Sequence, residues 1–280
     1  MSLIEKALGR IKSNAAASAP SASQRPALKL PEPRASLEPD LLVTETMRER
    51  LGLNAADTLQ HQHASEYRHI KRQIVADVRE NSADRVVLVV SAIAGEGKSF
   101  TAANLALSLA LEPDHTVLLV DADVINPQLT RTFGLSQRSG MMNALVDPAC
   151  DVDSLIVTTN IEGFSVLPAG SASANATEYF GSDRMRAVLD RLLQVPNRII
   201  LIDSLPLLQT TEARALMPFA SQVLLVVRAE STPQTAVRQA VDLIGEEVDV
   251  KLVLNAVVRT QLTRYLGYGY GFDYDYSPKP

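Results

Sequence analysis

Three groups of residues in this 280-residue chain could act together on a phosphoryl group. The stretch "AIAGEGKS", residues 92–99, fits the relaxed phosphate-loop pattern [AG]-x-x-x-x-G-K-[ST]. Gly95 and Gly97 let backbone N–H groups close around phosphates, Lys98 can reach the β- and γ-phosphates, and the Ser99 hydroxyl can ligate Mg2+. Acids form the second group: "VLLVDADVINP" delivers Asp121 and Asp123, and "RIILIDSLP" delivers Asp203, each where an aliphatic run ends. Carboxylates so placed can hold the water shell of a metal ion bound to nucleotide. The third group is phenolic. Tyr265, Tyr268, Tyr270, Tyr274 and Tyr276, five of the seven tyrosines, fall in the last sixteen residues, separated by Gly267, Gly269 and Gly271. So much glycine with a single aliphatic residue, Leu266, predicts an exposed, flexible tail. Its phenols suit adhesion, nucleic-acid stacking or use as chemical substrates.

These groups need a scaffold that brings them to one edge. "VVLVV" (86–90), "TVLLV" (116–120), "FSVLP" (164–168), "RIILI" (198–202), "QVLLVV" (222–227) and "KLVLN" (251–255) read as strands, alternating with longer periodic segments. Near-continuous aliphatic strands call for burial on both faces, so the expectation is an α/β, doubly wound, mostly parallel sheet over residues 81–258. In such a sheet ligands bind at the carboxyl ends of the strands, where the loop and the acids fall. Strand alternation would put Asp121 and Asp123 on one side of the chain.

Outside that domain, residues 1–40 combine a short amphipathic helix (Leu3, Ile4, Ala7, Leu8 and Ile11 on one face) with an Ala/Ser/Pro linker. Six Lys/Arg against two Glu in residues 1–34 suit an anionic lipid surface or an acidic partner, and a solvated arm fits equally well. Residues 41–80 read as a helical extension packing on the core, and 259–280 as the tyrosine-bearing tail. His61, His63 and His69 lie close together, but the spacing of the first two shares no helical face, so they read as surface residues rather than ligands.

Composition narrows the function. A net charge of -5 lacks the basic excess of a general nucleic-acid binder, so no nucleic-acid partner is expected. Cys150 is the single cysteine, which excludes an intrachain disulfide and fits a reducing compartment; it reads as a small buried hydrophobe. No run approaches the roughly 20 apolar residues that cross a bilayer, and the N-terminus lacks a secretory core, so a cytoplasmic protein is expected, any membrane contact being peripheral. The N-x-T triplet at Asn175 then carries no meaning as a glycosylation signal.

With these residues in place, the chain resembles the bacterial tyrosine kinases of polysaccharide export, which share the fold of the MinD and ParA ATPases. "AGEGKS" is similar to their first Walker motif, "VLLVDAD" to the second, "LIDSLP" to their Walker B, and the tyrosine cluster to their autophosphorylation tail. "MSLIEKALGRI", "EYRHIKR" and "SVLPAG" most resemble the subgroup found with exosortase-type systems. The resemblance implies ATP and Mg2+ as cofactors. ATP contacts would come from Ala94, Gly95, Glu96, Gly97, Lys98, Ser99, Phe100 and Asn255, metal contacts from Ser99, Asp123 and Asp203, and the base that takes the phenolic proton would be Asp121. It also implies phosphorylation of the five tail tyrosines in trans within a homo-oligomer, control of chain length and export, a membrane-bound polysaccharide co-polymerase as activator, and a tyrosine phosphatase as partner.

Several residues depart from the family pattern. Ala94 replaces a proline, Ile125 and Asn126 replace basic residues after the second acid, and Leu205 replaces a proline after Walker B. Ser65 and Lys71 stand where a glutamate and an arginine help build the family's ring. Ile93 occupies the place of the second lysine of the MinD/ParA loop, which favours the kinase branch. Two other functions fit parts of the sequence: a MinD/ParA-like ATPase switch without kinase activity, and a regulatory scaffold with a vestigial site.

Overall fold

The computed structural model describes residues 38–51, 57–246 and 248–257, with side chains from residue 65 onward in the helix that begins at Asp57. The N-terminal helix and most of the linker, the side chains of His61 and His63, and the five tail tyrosines lie outside the described residues.

Seven strands form one sheet: β1 (Val86–Ser91), β2 (Thr116–Asp121), β3 (Val157–Thr158), β4 (Phe164–Leu167), β5 (Arg198–Pro206), β6 (Gln222–Arg228) and β7 (Asp249–Asn255). Their order is β3-β4-β2-β5-β1-β6-β7, parallel throughout except for the β3–β4 pair. The doubly wound, mostly parallel reading holds. Alternation sorts each central strand between two apolar layers. Leu88, Leu118, Ile200 and Leu225 face one layer, while Val87, Leu119, Leu201 and Leu224 face the other. Burial on both faces is what makes these strands aliphatic without interruption.

Described helices are α1 (Glu45–Arg50), α2 (Asp57–Glu80), α3 (Lys98–Leu109), α4 (Gln128–Thr132), α5 (Met141–Val146), α6 (Ala176–Phe180), α7 (Asp183–Leu192), α8 (Glu212–Leu216) and α9 (Gln234–Ile244). On one face α2 and α3 cover the sheet, with Ile74, Val75 and Val78 of α2 and Ala102, Leu105 and Leu109 of α3 buried together. The other face carries α5 to α9. Ahead of α1, Leu41 pairs with the β3 end through its N–H to Thr158 O (3.0 Å) and its carbonyl to Asn160 N (3.2 Å).

Two expectations need correction. "KLVLN" was expected to be buried on both faces, but β7 is a sheet edge and leaves Leu252 and Leu254 each 61% exposed. An apolar run does not distinguish a central strand from an edge strand. Within the run 41–80 the described residues form two helices, α1 and α2. Cys150 is half-buried rather than buried, its carbonyl accepting from Arg184 Nη2 at 3.3 Å.

Candidate active site

β1 lies between β5 and β6, so the loop that leaves it is flanked by the carboxyl ends of both. The left-handed φ of +84° at Gly95 and +92° at Gly97 curls residues 94–97, and α3 begins at Lys98 with Gly97 as its cap. This aims the unpaired N–H groups of a 12-residue helix, and its positive dipole end, into the loop. A side chain at Gly97 has no room, because its Cβ would stand 2.1 Å from Asn255 Nδ2.

Neighbouring strands hold the loop. Ala94 N–H donates to Gln209 Oε1 (2.9 Å) beyond β5, and Asn255 Nδ2 at the end of β7 donates to Glu96 O (2.8 Å). The β1–β5 register shifts between Val89 and Ser91, and the Ser204 hydroxyl covers the irregularity by donating to Val89 O (3.0 Å). Past that shift, Leu207 N–H bonds Ser91 O and Leu208 N–H bonds Ala92 O, so β5 continues as a wall beside the loop.

The acids converge on Lys98. Its ammonium lies 2.8 Å from Asp123 Oδ2, 3.6 Å from Asp203 Oδ1 and 3.3 Å from Ser99 Oγ. Burial lowers the Lys98 pKa, but the charges of Asp203, Asp123 and Asp121 more than reverse this and leave it raised. Asp203 is fully buried, and among the described residues neither of its oxygens has an aligned hydrogen-bond donor. Burial pushes its carboxyl up to about 7 against the pull of Lys98 and Ser99, with the Asp121 and Asp123 charges adding to the rise.

Asp121 and Asp203 are register partners on adjacent strands, yet their environments differ. Asp121 Oδ2 accepts from both the N–H and the hydroxyl of Thr130 (2.8 Å each), and Oδ1 accepts from Asp123 N–H (3.1 Å). Burial nonetheless holds its carboxyl above the usual carboxylate range, against those bonds. Thr130 Oγ1 in turn accepts from Ala169 N–H (3.0 Å), which ties Asp121 to the "SVLPAG" segment. β2 ends at Asp121, so strand alternation no longer governs where Asp123 points. The following turn points Asp123 at Lys98 and leaves Asp121 on α4.

Lys98, Ser99, Asp121, Asp123 and Asp203 thus form one cluster, flanked by Ala94, Gly95, Gly97 and Asn255. Phe100 lies on the first turn of α3 and is half-buried. Glu96 is 1% exposed, its carboxylate accepting from Ile93 N–H (2.7 Å) and from the Thr232 hydroxyl. Thr130, Gln209, Arg228 and Thr232 were not singled out from the sequence: Thr130 meets Asp121 only through the turn after β2, and the other three come from strands or turns more than a hundred residues away. An acid inside a phosphate loop was the one signal that such a partner had to exist. Ile125 is 67% exposed beside the cluster, and Asn126 caps Asp123 by donating its N–H to Oδ1 (2.9 Å). Lys71 turns into its own body and pairs with Glu112 Oε1 at 2.8 Å.

The buried lysine, the buried Asp203 carboxylate and the open helix end form a cradle for a polyphosphate with a divalent cation. A family model described as "AAA domain" matches residues 84–255, which span the whole cradle. The chain belongs to the AAA domain family. Its relatives set this AAA-domain protein among the bacterial tyrosine kinases. It is 30% identical over 234 residues to the succinoglycan biosynthesis transport protein ExoP of Rhizobium meliloti, covering 81% of this chain and 29% of that protein. It is 28% identical to the putative tyrosine-protein kinase CapB of Staphylococcus aureus, covering 65% of this chain and 78% of that one. Among solved structures, the VpsO kinase domain aligns with a TM-score of 0.62 at 27% identity, over 70% of this chain and 95% of that one. This AAA-domain chain therefore spans less than a third of the Rhizobium protein's length.

Proposed function

We propose that this protein is an ATP-dependent protein-tyrosine kinase that phosphorylates the C-terminal cluster Tyr265, Tyr268, Tyr270, Tyr274 and Tyr276 of a neighbouring copy. The observation that carries the reading is Asp203, a buried carboxylate without an aligned donor, set against Lys98 at the mouth of a phosphate loop. Lys98 at 3.6 Å compensates this buried acid only in part, and a second cation or its water shell would complete it.

The residues fit Mg-ATP. Lys98 and the N–H groups of residues 95–100 would hold the phosphates, with Ala94 at the loop's edge, Ser99 would ligate Mg2+, and Asp123 and Asp203 would hold its waters, with Asn255 beside the loop. The bound metal supplies charge neutralisation between the phosphates. For its part the chain exchanges the Lys98–Asp123 pair for a Lys98–phosphate contact, excludes water behind β5, and presents Asp121 as the acceptor of the phenolic proton. The phenolic oxygen gains the phosphoryl group as the bond to ADP breaks. Such a reaction depends on positioning and charge more than on covalent participation by the protein.

One observation favours the second reading, an ATPase switch without kinase activity: Asp121 is fully buried and accepts three hydrogen bonds. To act as a base it must face the phenol, so α4 has to shift when the tail docks. Mixing a Lys98→Met full-length chain with a wild-type chain lacking residues 259–280 separates the readings. Phosphotyrosine on the Lys98→Met chain supports transfer in trans, and ATP hydrolysis without it supports the switch.

Regulation of polysaccharide chain length and export, a membrane-bound co-polymerase as activator and a tyrosine phosphatase complete the proposal. The link to polysaccharide export is supported by the succinoglycan biosynthesis transport name of the Rhizobium relative. No helix among the described residues is long and apolar enough to cross a membrane, and we place the protein at the cytoplasmic face of the inner membrane, held there by its partner.

A further inference from the structure

Glu96 puts a negative charge in the middle of a loop shaped to receive an anion. It is 1% exposed, and among the described residues no lysine or arginine forms an ion pair with it. Its carboxylate is met by Ile93 N–H, Arg228 N–H (3.4 Å) and the Thr232 hydroxyl. Two of these three donors belong to the turn that follows β6, residues 228–233.

That turn is itself closed and latched. Thr232 N–H donates to Arg228 O (3.1 Å), Arg228 N–H donates to Thr232 Oγ1 (3.2 Å), and Glu230 takes a left-handed φ of +58°. Such a φ costs energy in a non-glycine residue and persists when surrounding contacts over-determine it. The Arg228 guanidinium reaches back to Gly95 O (3.3 Å). Ala229 N–H donates to Asn255 O (2.9 Å), which joins the turn to the side chain that holds Glu96 O. The loop is thus clamped from outside through both the backbone and the side chain of Glu96.

The charge gives the clamp a purpose beyond packing. A carboxylate released beside the N–H groups of residues 95–98 would be an intramolecular anion competing with phosphate for the same donors and the same helix dipole. We propose that Thr232 and Arg228 are positioning residues of the nucleotide site, which hold the Glu96 carboxylate away from the phosphate cradle and keep its donors free. The proposal rests on residues 94–99 being an ATP site.

The test is equilibrium titration of the purified full chain with a fluorescent ADP analogue, with melting midpoints recorded to show that each variant is folded. Thr232→Val removes the hydroxyl donor, and the dissociation constant should rise ~10-fold, the size of one hydrogen bond to a charged group. Thr232→Ser should bind within about twofold of wild type. The decisive variant is Thr232→Val with Glu96→Gln: removing the competing charge should recover most of the lost affinity. A packing role alone would make the double variant weaker than Thr232→Val. That result, or a Thr232→Val protein that binds as wild type does, overturns the proposal. Nucleotide binding without phosphotyrosine formation would defeat the kinase reading and leave this one standing, whereas a wild-type chain that binds no nucleotide defeats both.

Discussion

Lys98 Nζ lies 2.8 Å from Asp123 Oδ2, and the two side chains are only 11% and 7% exposed. The pair closes the site internally and holds the lysine where phosphates would meet it. Lys98→Met leaves Asp123 and Asp203 together without a counter-charge. Breaking a buried pair from one side costs about 3–5 kcal/mol, which the Lys98→Met chain should show as a lower urea midpoint along with loss of phosphotyrosine. An unchanged midpoint would mean that the cluster is not held by this cation.

Thr130 should matter to Asp121 through its hydroxyl. Thr130→Val orphans both an Asp121 bond and the Ala169 N–H, and should cost about 1–3 kcal/mol in urea unfolding, while Thr130→Ser stays near wild type. Equal losses from both variants would point to the methyl group and to packing instead.

Gly97 meets two separate constraints, its φ of +92° and the Asn255 amide 2.1 Å from where a Cβ would stand. Gly97→Ala should lower stability by about 1–2 kcal/mol from backbone conformation alone, and by more from the clash. Adding Asn255→Ala should recover the second part and not the first. Strict additivity of the two substitutions in thermal melts would show that the clash is relieved without cost.

Tyr67 on α2 lies outside the tail, and burial pushes its phenol up to about 12, with the Thr101 hydroxyl opposing and the Glu66 charge adding to the rise. Between pH 10 and about 12 the unfolded phenol ionises while the folded one stays neutral. The unfolded state gains, so this group's contribution to stability is intact below pH 10 and is lost progressively towards 12. Ultraviolet titration should show a late-titrating phenol that disappears in Tyr67→Phe, along with that part of the stability slope.

The central sheet was legible because β1, β2 and β5 are buried on both faces, and such strands leave an uninterrupted aliphatic signature. The loop and the acids were legible because residues 92–99 and each aspartate follow such runs directly. The exposure of β7 was not, since Leu252 and Leu254 look the same in sequence at an edge as at the centre. β3, with two residues, is too short for any periodicity. What the sequence least revealed was the support of the site. Thr130 depends on where β2 stops, and Glu96–Thr232 joins residues 136 positions apart, which only the assembled sheet brings together.

The central claim is that the cluster around Lys98 transfers phosphate to the chain's own tyrosines. Tandem mass spectrometry of the C-terminal peptide after incubation with and without Mg-ATP tests it most directly. Phosphotyrosine should accumulate among Tyr265, Tyr268, Tyr270, Tyr274 and Tyr276 only with Mg-ATP, and not in Lys98→Met or Asp121→Asn chains. A wild-type chain that hydrolyses ATP while this peptide stays unmodified would contradict it.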